Sequence, residues 1–257
     1  MLGWTIFVHS VRMVLGNFKQ VLQITIGPAL IATAGVATLF LIFGPPAEVF
    51  DETAGVIAHE PSVGFIFLTI AIFAIVVLWI AVSWHRFILL EEYPNRLLPP
   101  FRFDRILAYL GRFMLLALVS IAFMFPVMFV LMAFVQSMPP LGVPIMFVAL
   151  LVFVALLVVM VWFYRLSVTL PAAAIGEPIR LGEAWAATKG ESWTFIVLMI
   201  VTILFQFVVQ MVFALLAFIP LLAVLFVIFA SFLVLPMINV SILTMLYGVY
   251  IEKRELT

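Results

Sequence analysis

The chain has no cysteine, and Asp, Glu, Lys and Arg together make up only 9% of its 257 residues. Without thiols there is no disulfide framework, no redox motif and no thiolate metal site. With so few charges the chain cannot coat a water-facing surface, because a soluble domain is about a quarter charged. Twelve Lys and Arg balance twelve Asp and Glu, so the basic excess that nucleic-acid binding needs is missing too. The three histidines, His9, His59 and His85, fit no metal-ligand spacing. No glycine-rich phosphate loop occurs, and no metal or cofactor is expected. The N-terminus lacks a basic start and a small-residue cleavage site, so it is expected to stay in the mature protein. What the chain does have is a hydrophobic content of 67%. It reads as a single all-α, polytopic membrane domain over residues 1–257.

Charge-free runs locate the spans, since a central charge costs about 2.5–3.5 kcal/mol on insertion scales. Four long runs occur: Gln20–Ala47, Pro61–His85, Phe113–Tyr164 and Ser192–Ile251. At about 20 residues per crossing, the first two hold one helix each and the last two hold two each. The third run divides at the Pro-Gly-rich stretch 136–142 and the fourth at Phe218-Ile219-Pro220. Six spans are predicted, at 22–43, 63–84, 113–135, 144–164, 194–218 and 223–250. All twelve Lys and Arg fall in the N-terminus, the 2–3 and 4–5 loops and the C-terminus, whereas loop 1–2 is acidic, with Glu48, Asp51, Glu52 and Glu60. The positive-inside rule then places both termini in the cytoplasm.

A threefold hairpin plan is visible. Before span 1, Trp4, Phe7, Val8, Val11, Val14, Leu15 and Phe18 share one helical face, opposite Thr5, His9, Arg12, Gly16 and Lys19. Before span 3, Phe103, Ile106, Leu107 and Leu110 oppose Arg102, Arg105, Tyr109 and Arg112; before span 5, Leu181, Ala184, Trp185 and Thr188 oppose Arg180, Glu183 and Lys189. These read as three cytoplasmic-side interfacial amphipathic helices. Each ends in glycine followed by an aromatic, at Gly16-Asn17-Phe18, Gly111-Arg112-Phe113 and Gly190-Glu191-Ser192-Trp193, where glycine lets the chain bend into the membrane. The even spans close with Trp84-His85-Arg86, Phe163-Tyr164-Arg165, and Tyr250 before Lys253-Arg254.

The stretch Arg165-Leu166-Ser167-Val168-Thr169-Leu170-Pro171-Ala172-Ala173-Ala174, with Ala184-Trp185, Lys189-Gly190 and Trp193, resembles bacterial six-span inner-membrane proteins of the YciC-like type. It also looks like the membrane domain fused to some glycerophosphodiester phosphodiesterases. The resemblance implies an architecture and a bacterial inner membrane, not an activity; no phosphodiesterase catalytic domain accompanies it.

Polar groups within spans are where function is sought. Span 5 carries Gln206 and Gln210 on one face, and span 6 carries Asn239, Ser241 and Thr244 after Pro236. Gln206, Gln210 and Asn239 are expected either to hydrogen-bond between helices or to line a small cavity. Pro236 and Pro126 are hinge candidates, freeing the carbonyls of Phe232 and Ala122. Ala29, Thr33 and Ala37 form a small-residue stripe, expected to pack on a neighbouring helix or, less simply, on another copy. Arg86, Arg102, Arg105, Arg112 and Arg165 are topology anchors on one reading and anionic lipid-headgroup forks on the other.

Glu91-Glu92-Tyr93-Pro94-Asn95-Arg96 spells the E-E-x-x-x-R opening of CPBP-type intramembrane proteases. That family needs histidines on later helices, and here all three precede Glu91, so the pair is read as solvated loop carboxylates balancing nearby Arg. An enzyme acting on lipid would require clustered titratable groups at the cytoplasmic surface, for which His85, Arg86, Glu91 and Glu92 are the candidates. The expectation is a non-enzymatic integral membrane protein that organises lipid or a protein partner. The alternative is a passive channel or small-solute transporter with a polar path between spans 5 and 6.

Overall fold

The computed structural model describes residues 2–44, 47–51, 56–94, 98–137 and 145–255. Arg96, Glu52 and most of the 136–142 divider lie outside them. The order of elements is α1 (Leu2–Gly16), α2 (Phe18–Phe43), β1 (Ala47–Asp51), β2 (Val56–Glu60), α3 (Val63–Leu90), α4 (Phe103–Ser137), α5 (Ile145–Ser167), α6 (Thr169–Ile175), α7 (Leu181–Ala187), α8 (Ser192–Leu216), α9 (Pro220–Val227), a π-helical segment (Ile228–Val234) and α10 (Leu235–Tyr250). Six helices are long and apolar enough to cross a membrane, the last being the continuous run from α9 to α10. The protein is an all-α, multi-pass membrane protein. It also carries a short antiparallel ribbon, with Val49 of β1 opposite Ala58 of β2.

The core lies at the bases of the three hairpins, away from their turns. Buried side chains cluster in the second half of α3 (Val76, Trp79, Trp84, Phe87), early α4 (Ile106, Leu116), the end of α5 and α6, early α8 (Phe195, Leu198) and late α10 (Met237, Ile242, Leu246). Toward the turns each helix packs on its own hairpin partner and otherwise exposes large apolar groups, such as Phe67, Phe125, Phe129 and Phe207. That pattern suits lipid, where an exposed apolar side chain carries no hydration penalty.

Three local outcomes depart from the sequence expectation. First, α1 does not lie free on a surface. It packs along α8 and α10, burying Gly3, Ile6, Phe7, Ser10 and Val14, while Trp4 and Leu15 of its expected apolar face remain exposed. Gly3 permits this: a Cβ there would sit 2.4 Å from the Thr194 carbonyl. Second, Gly111 makes no bend. The segment before span 3 continues unbroken into α4, whose 35 residues extend roughly 50 Å, well beyond about 30 Å of hydrocarbon. Glycine permits a bend but does not impose one, whereas Gly190 at φ +86° does break the chain before α8. Third, α6 was not foreseen. Only Val168 separates it from α5, and Thr169–Ala174 are all buried, wedged against α3, α4 and α10.

The stripe Ala29, Thr33, Ala37 is exposed, which corrects the expectation that it packs on a neighbouring helix. Thr33 instead donates to the Ala29 carbonyl within α2 at 3.0 Å. The packed face of α2 is the adjacent one, with Thr25, Pro28 and Ala32 buried and Gly35 set against Ile72.

Candidate functional site

The three hairpin bases are locked together by polar contacts. Hairpins one and three meet where the Trp84 indole donates to Ser241 Oγ at 2.8 Å and His85 Nδ1 meets Thr244 Oγ1 at 2.8 Å. Thr244 spends its own proton on the Val240 carbonyl at 3.0 Å, so His85 Nδ1 must be the donor. Its Nε2 faces the Tyr109 hydroxyl of α4, 3.4 Å away. The imidazole is fully buried and stacked on Tyr109. Ser241 and Thr244 therefore pair with α3, not with the glutamines of α8.

Hairpins one and two meet at Arg86. Its Nε donates to Glu92 at 2.6 Å, and another guanidinium N–H donates to the Ala174 carbonyl of α6 at 3.1 Å. Arg102 grips the other oxygen of Glu92 in a fork at 2.9 and 3.1 Å. Partial burial pushes the Glu92 carboxyl up, but the hydrogen bonds and charges of Arg102 and Arg86 outweigh this and hold it below its ordinary value of 4.5. Glu92 thus balances two nearby arginines, as expected, but as a part-buried clamp rather than a solvated carboxylate, while Glu91, at φ 54°, turns the chain out of α3.

Hairpins two and three meet at Arg165. Its guanidinium lies 3.3 Å from the Trp185 ring centroid and donates to the Trp185 carbonyl at 3.0 Å and to Thr188 Oγ1 at 3.2 Å. Beside it an aromatic ladder runs from Tyr164 through Phe195 to Tyr250, whose hydroxyl donates to Glu191 at 3.5 Å. Of the five arginines offered as headgroup forks, Arg86 and Arg165 spend their donors on the protein itself. Arg105 pairs with Asp104 at 3.0 Å and lies over Gly176, where a Cβ would meet its guanidinium at 2.6 Å. Arg102 is half exposed despite its fork on Glu92, and Arg112 is partly exposed.

The intramembrane polar residues separate. Gln206 and Asn239 line one crevice of about 370 Å³ between α5, α8 and α10, together with Tyr164, Thr202, Met160, Met199 and Ile203. Gln210, one turn further on, does not line it. Asn239 donates to the Leu235 carbonyl at 3.0 Å. Directly upstream of Pro236 the chain winds as a π-helix, and the Leu235 N–H reaches back five residues to the Ala230 carbonyl. Pro126 lies inside unbroken α4 and borders a second, apolar cavity of about 510 Å³ against α5, lined by residues such as Phe123, Val130, Leu151 and Val158. Sequence reasoning missed the His85 network because a histidine beside the positive boundary arginine looks like a boundary residue; its buried partners lie far along the chain.

No protein-family model, curated protein or solved structure matches this chain.

Proposed function

We propose that this is a non-enzymatic membrane protein that organises bilayer lipid, seated in a bacterial inner membrane with both termini in the cytoplasm. The observation that carries the reading is the 510 Å³ cavity of the α4–α5 arm, walled by apolar side chains and open to the surface of the spans. An apolar recess there takes up hydrocarbon, and a segment of acyl chain fills it. The titratable groups that could have made an enzyme are otherwise engaged: Glu92 sits between two guanidinium groups, and His85 is buried against Thr244 and Tyr109. The cytoplasmic orientation rests on the confinement of all twelve Lys and Arg to alternate segments.

The channel reading draws on Gln206 and Asn239 facing one crevice. It is the less supported one, because the hairpin bases across which a path must run are filled by Trp84, Phe195, Leu198 and Leu246, each fully buried. The test is purification in mild detergent followed by mass spectrometry of bound lipids and proteins. Lipid retained in defined stoichiometry supports the proposal. Loss of all lipid, together with solute flux through reconstituted protein, overturns it in favour of the channel.

A further inference from the structure

We infer that the α5–α8–α10 crevice is a binding site for an uncharged bilayer lipid that carries a hydroxyl or ester group, and that Gln206 and Asn239 recognise that group. The inference deepens the lipid-organising reading and rests on it. The Gln206 carboxamide makes no hydrogen bond to any described residue, and Asn239 uses only its amide N–H₂, toward Leu235, leaving its carbonyl oxygen open. An amide with open donors and acceptors in hydrocarbon is costly, so the two residues fit a guest that supplies polar partners.

Three observations define that guest. The rest of the wall is largely apolar, with Phe153, Leu156, Leu157 and Met160 along α5 and Ile203 on α8, which suits a hydrocarbon chain. Phe153, Leu156, Met160 and Ile203 are themselves exposed, so the crevice opens sideways to the surrounding lipid. Toward the hairpin bases it is capped by Tyr164, which stacks on Phe195 and through it reaches Tyr250. That closure disfavours a through-path for water or solute. No Lys, Arg, Asp or Glu lines the crevice, so a charged headgroup finds no counter-charge, whereas a neutral hydroxyl or ester meets two carboxamides; the nearby hydroxyls of Tyr164 and Thr202 bond to each other, and Thr202 donates to the Leu198 carbonyl at 2.8 Å. The volume, about 370 Å³, falls within the usual range of small-molecule sites.

The full chain is reconstituted into phosphatidylethanolamine–phosphatidylglycerol vesicles with a diazirine-bearing diacylglycerol, or with the matching diazirine phosphatidylglycerol as the charged comparator. After photolysis, labelled peptides are mapped. The expected result is saturable diacylglycerol labelling on Phe153–Met160 and Met199–Ile203, competed by unlabelled diacylglycerol. The double variant Gln206→Leu/Asn239→Leu lowers it about tenfold, and Gln210→Leu leaves it unchanged. Labelling at the α4–α5 cavity serves as the folding control and stays constant across all variants. Crevice labelling that is insensitive to Gln206→Leu/Asn239→Leu, or equal with the charged probe, overturns the inference while leaving the lipid reading in place. Absence of saturable labelling anywhere overturns both.

Discussion

His85 on α3 and Thr244 on α10 stand 2.8 Å apart in a fully buried contact. Because Thr244 gives its proton to Val240, His85 is the donor, and the contact ties the first hairpin to the third. Thr244→Val keeps the shape but leaves a buried imidazole N–H without an acceptor. The expected loss is about 1–2 kcal/mol, more than the ~0.6 average for an interhelical hydrogen bond in a membrane, because a donor is orphaned. Thr244→Ser restores the acceptor and most of the stability. Thermal unfolding of both variants in detergent checks this.

Gly3 has a second helix against its bare Cα, with the Thr194 carbonyl 2.4 Å and the Leu198 amide 3.0 Å from any added Cβ. Both are backbone atoms and cannot swing aside. Gly3→Val is expected to displace α1 from α8, costing about 1–3 kcal/mol and exposing α1 to protease. Gly111→Ala meets open space within unbroken α4 and is expected to be neutral or to stabilise by up to about 1 kcal/mol. Limited proteolysis of the two variants separates the cases.

The Arg86–Glu92–Arg102 clamp makes stability depend on pH with a definite sign. The Glu92 carboxyl lies below its ordinary value of 4.5 in the folded protein. Its contribution is therefore present above that value and is lost as pH falls through the lower, folded-state value. Glu92→Gln is expected to be less stable than the parent at pH 7, and the gap is expected to narrow as pH falls below 4.5 toward the lowered folded-state value. Unfolding midpoints for both proteins between pH 3 and pH 7 decide it; a gap that persists unchanged at pH 3 contradicts the clamp.

Arg165 depends on its planar fork, since its guanidinium carbon sits 3.3 Å from the Trp185 ring centroid while the group donates to the Trp185 carbonyl and Thr188. Arg165→Lys keeps the charge but loses the stacked, forked geometry. The expected cost is about 1–2 kcal/mol, and combining it with Trp185→Leu is expected to add little, because both changes break one contact. Unfolding of the two single variants and the double variant supplies the cycle.

How much of this was readable follows from what each feature depends on. The six spans were legible because burial in hydrocarbon demands long charge-free runs, but the expected closing residues hold only in part: Tyr250 ends α10, whereas α3 runs on past Arg86 to Leu90 and α5 past Arg165 to Ser167. Gln206, Gln210 and Asn239 were legible as polar residues within spans 5 and 6, but not which of them share a crevice, since one turn of α8 decides which glutamine lines it. Buried α6 escaped notice because Pro171 and its alanines resemble a loop, although the charge-free run Leu166–Ile175 was a usable signal. The His85–Thr244 and Arg86–Ala174 contacts join residues 159 and 88 positions apart, and no local pattern encodes such pairings.

The proposed arrangement of hairpins requires their three bases, with every cationic residue, to share one side of the membrane. Since the chain has no native cysteine, single-cysteine labelling with a membrane-impermeant maleimide tests this directly. With Arg12→Cys, Glu60→Cys, Lys189→Cys and Lys253→Cys made one at a time, intact cells are expected to label only Glu60→Cys, the others reacting after permeabilisation. Labelling of Arg12→Cys and Lys253→Cys from opposite sides would contradict the even number of crossings and with it the arrangement of hairpins on which the proposed lipid sites rest.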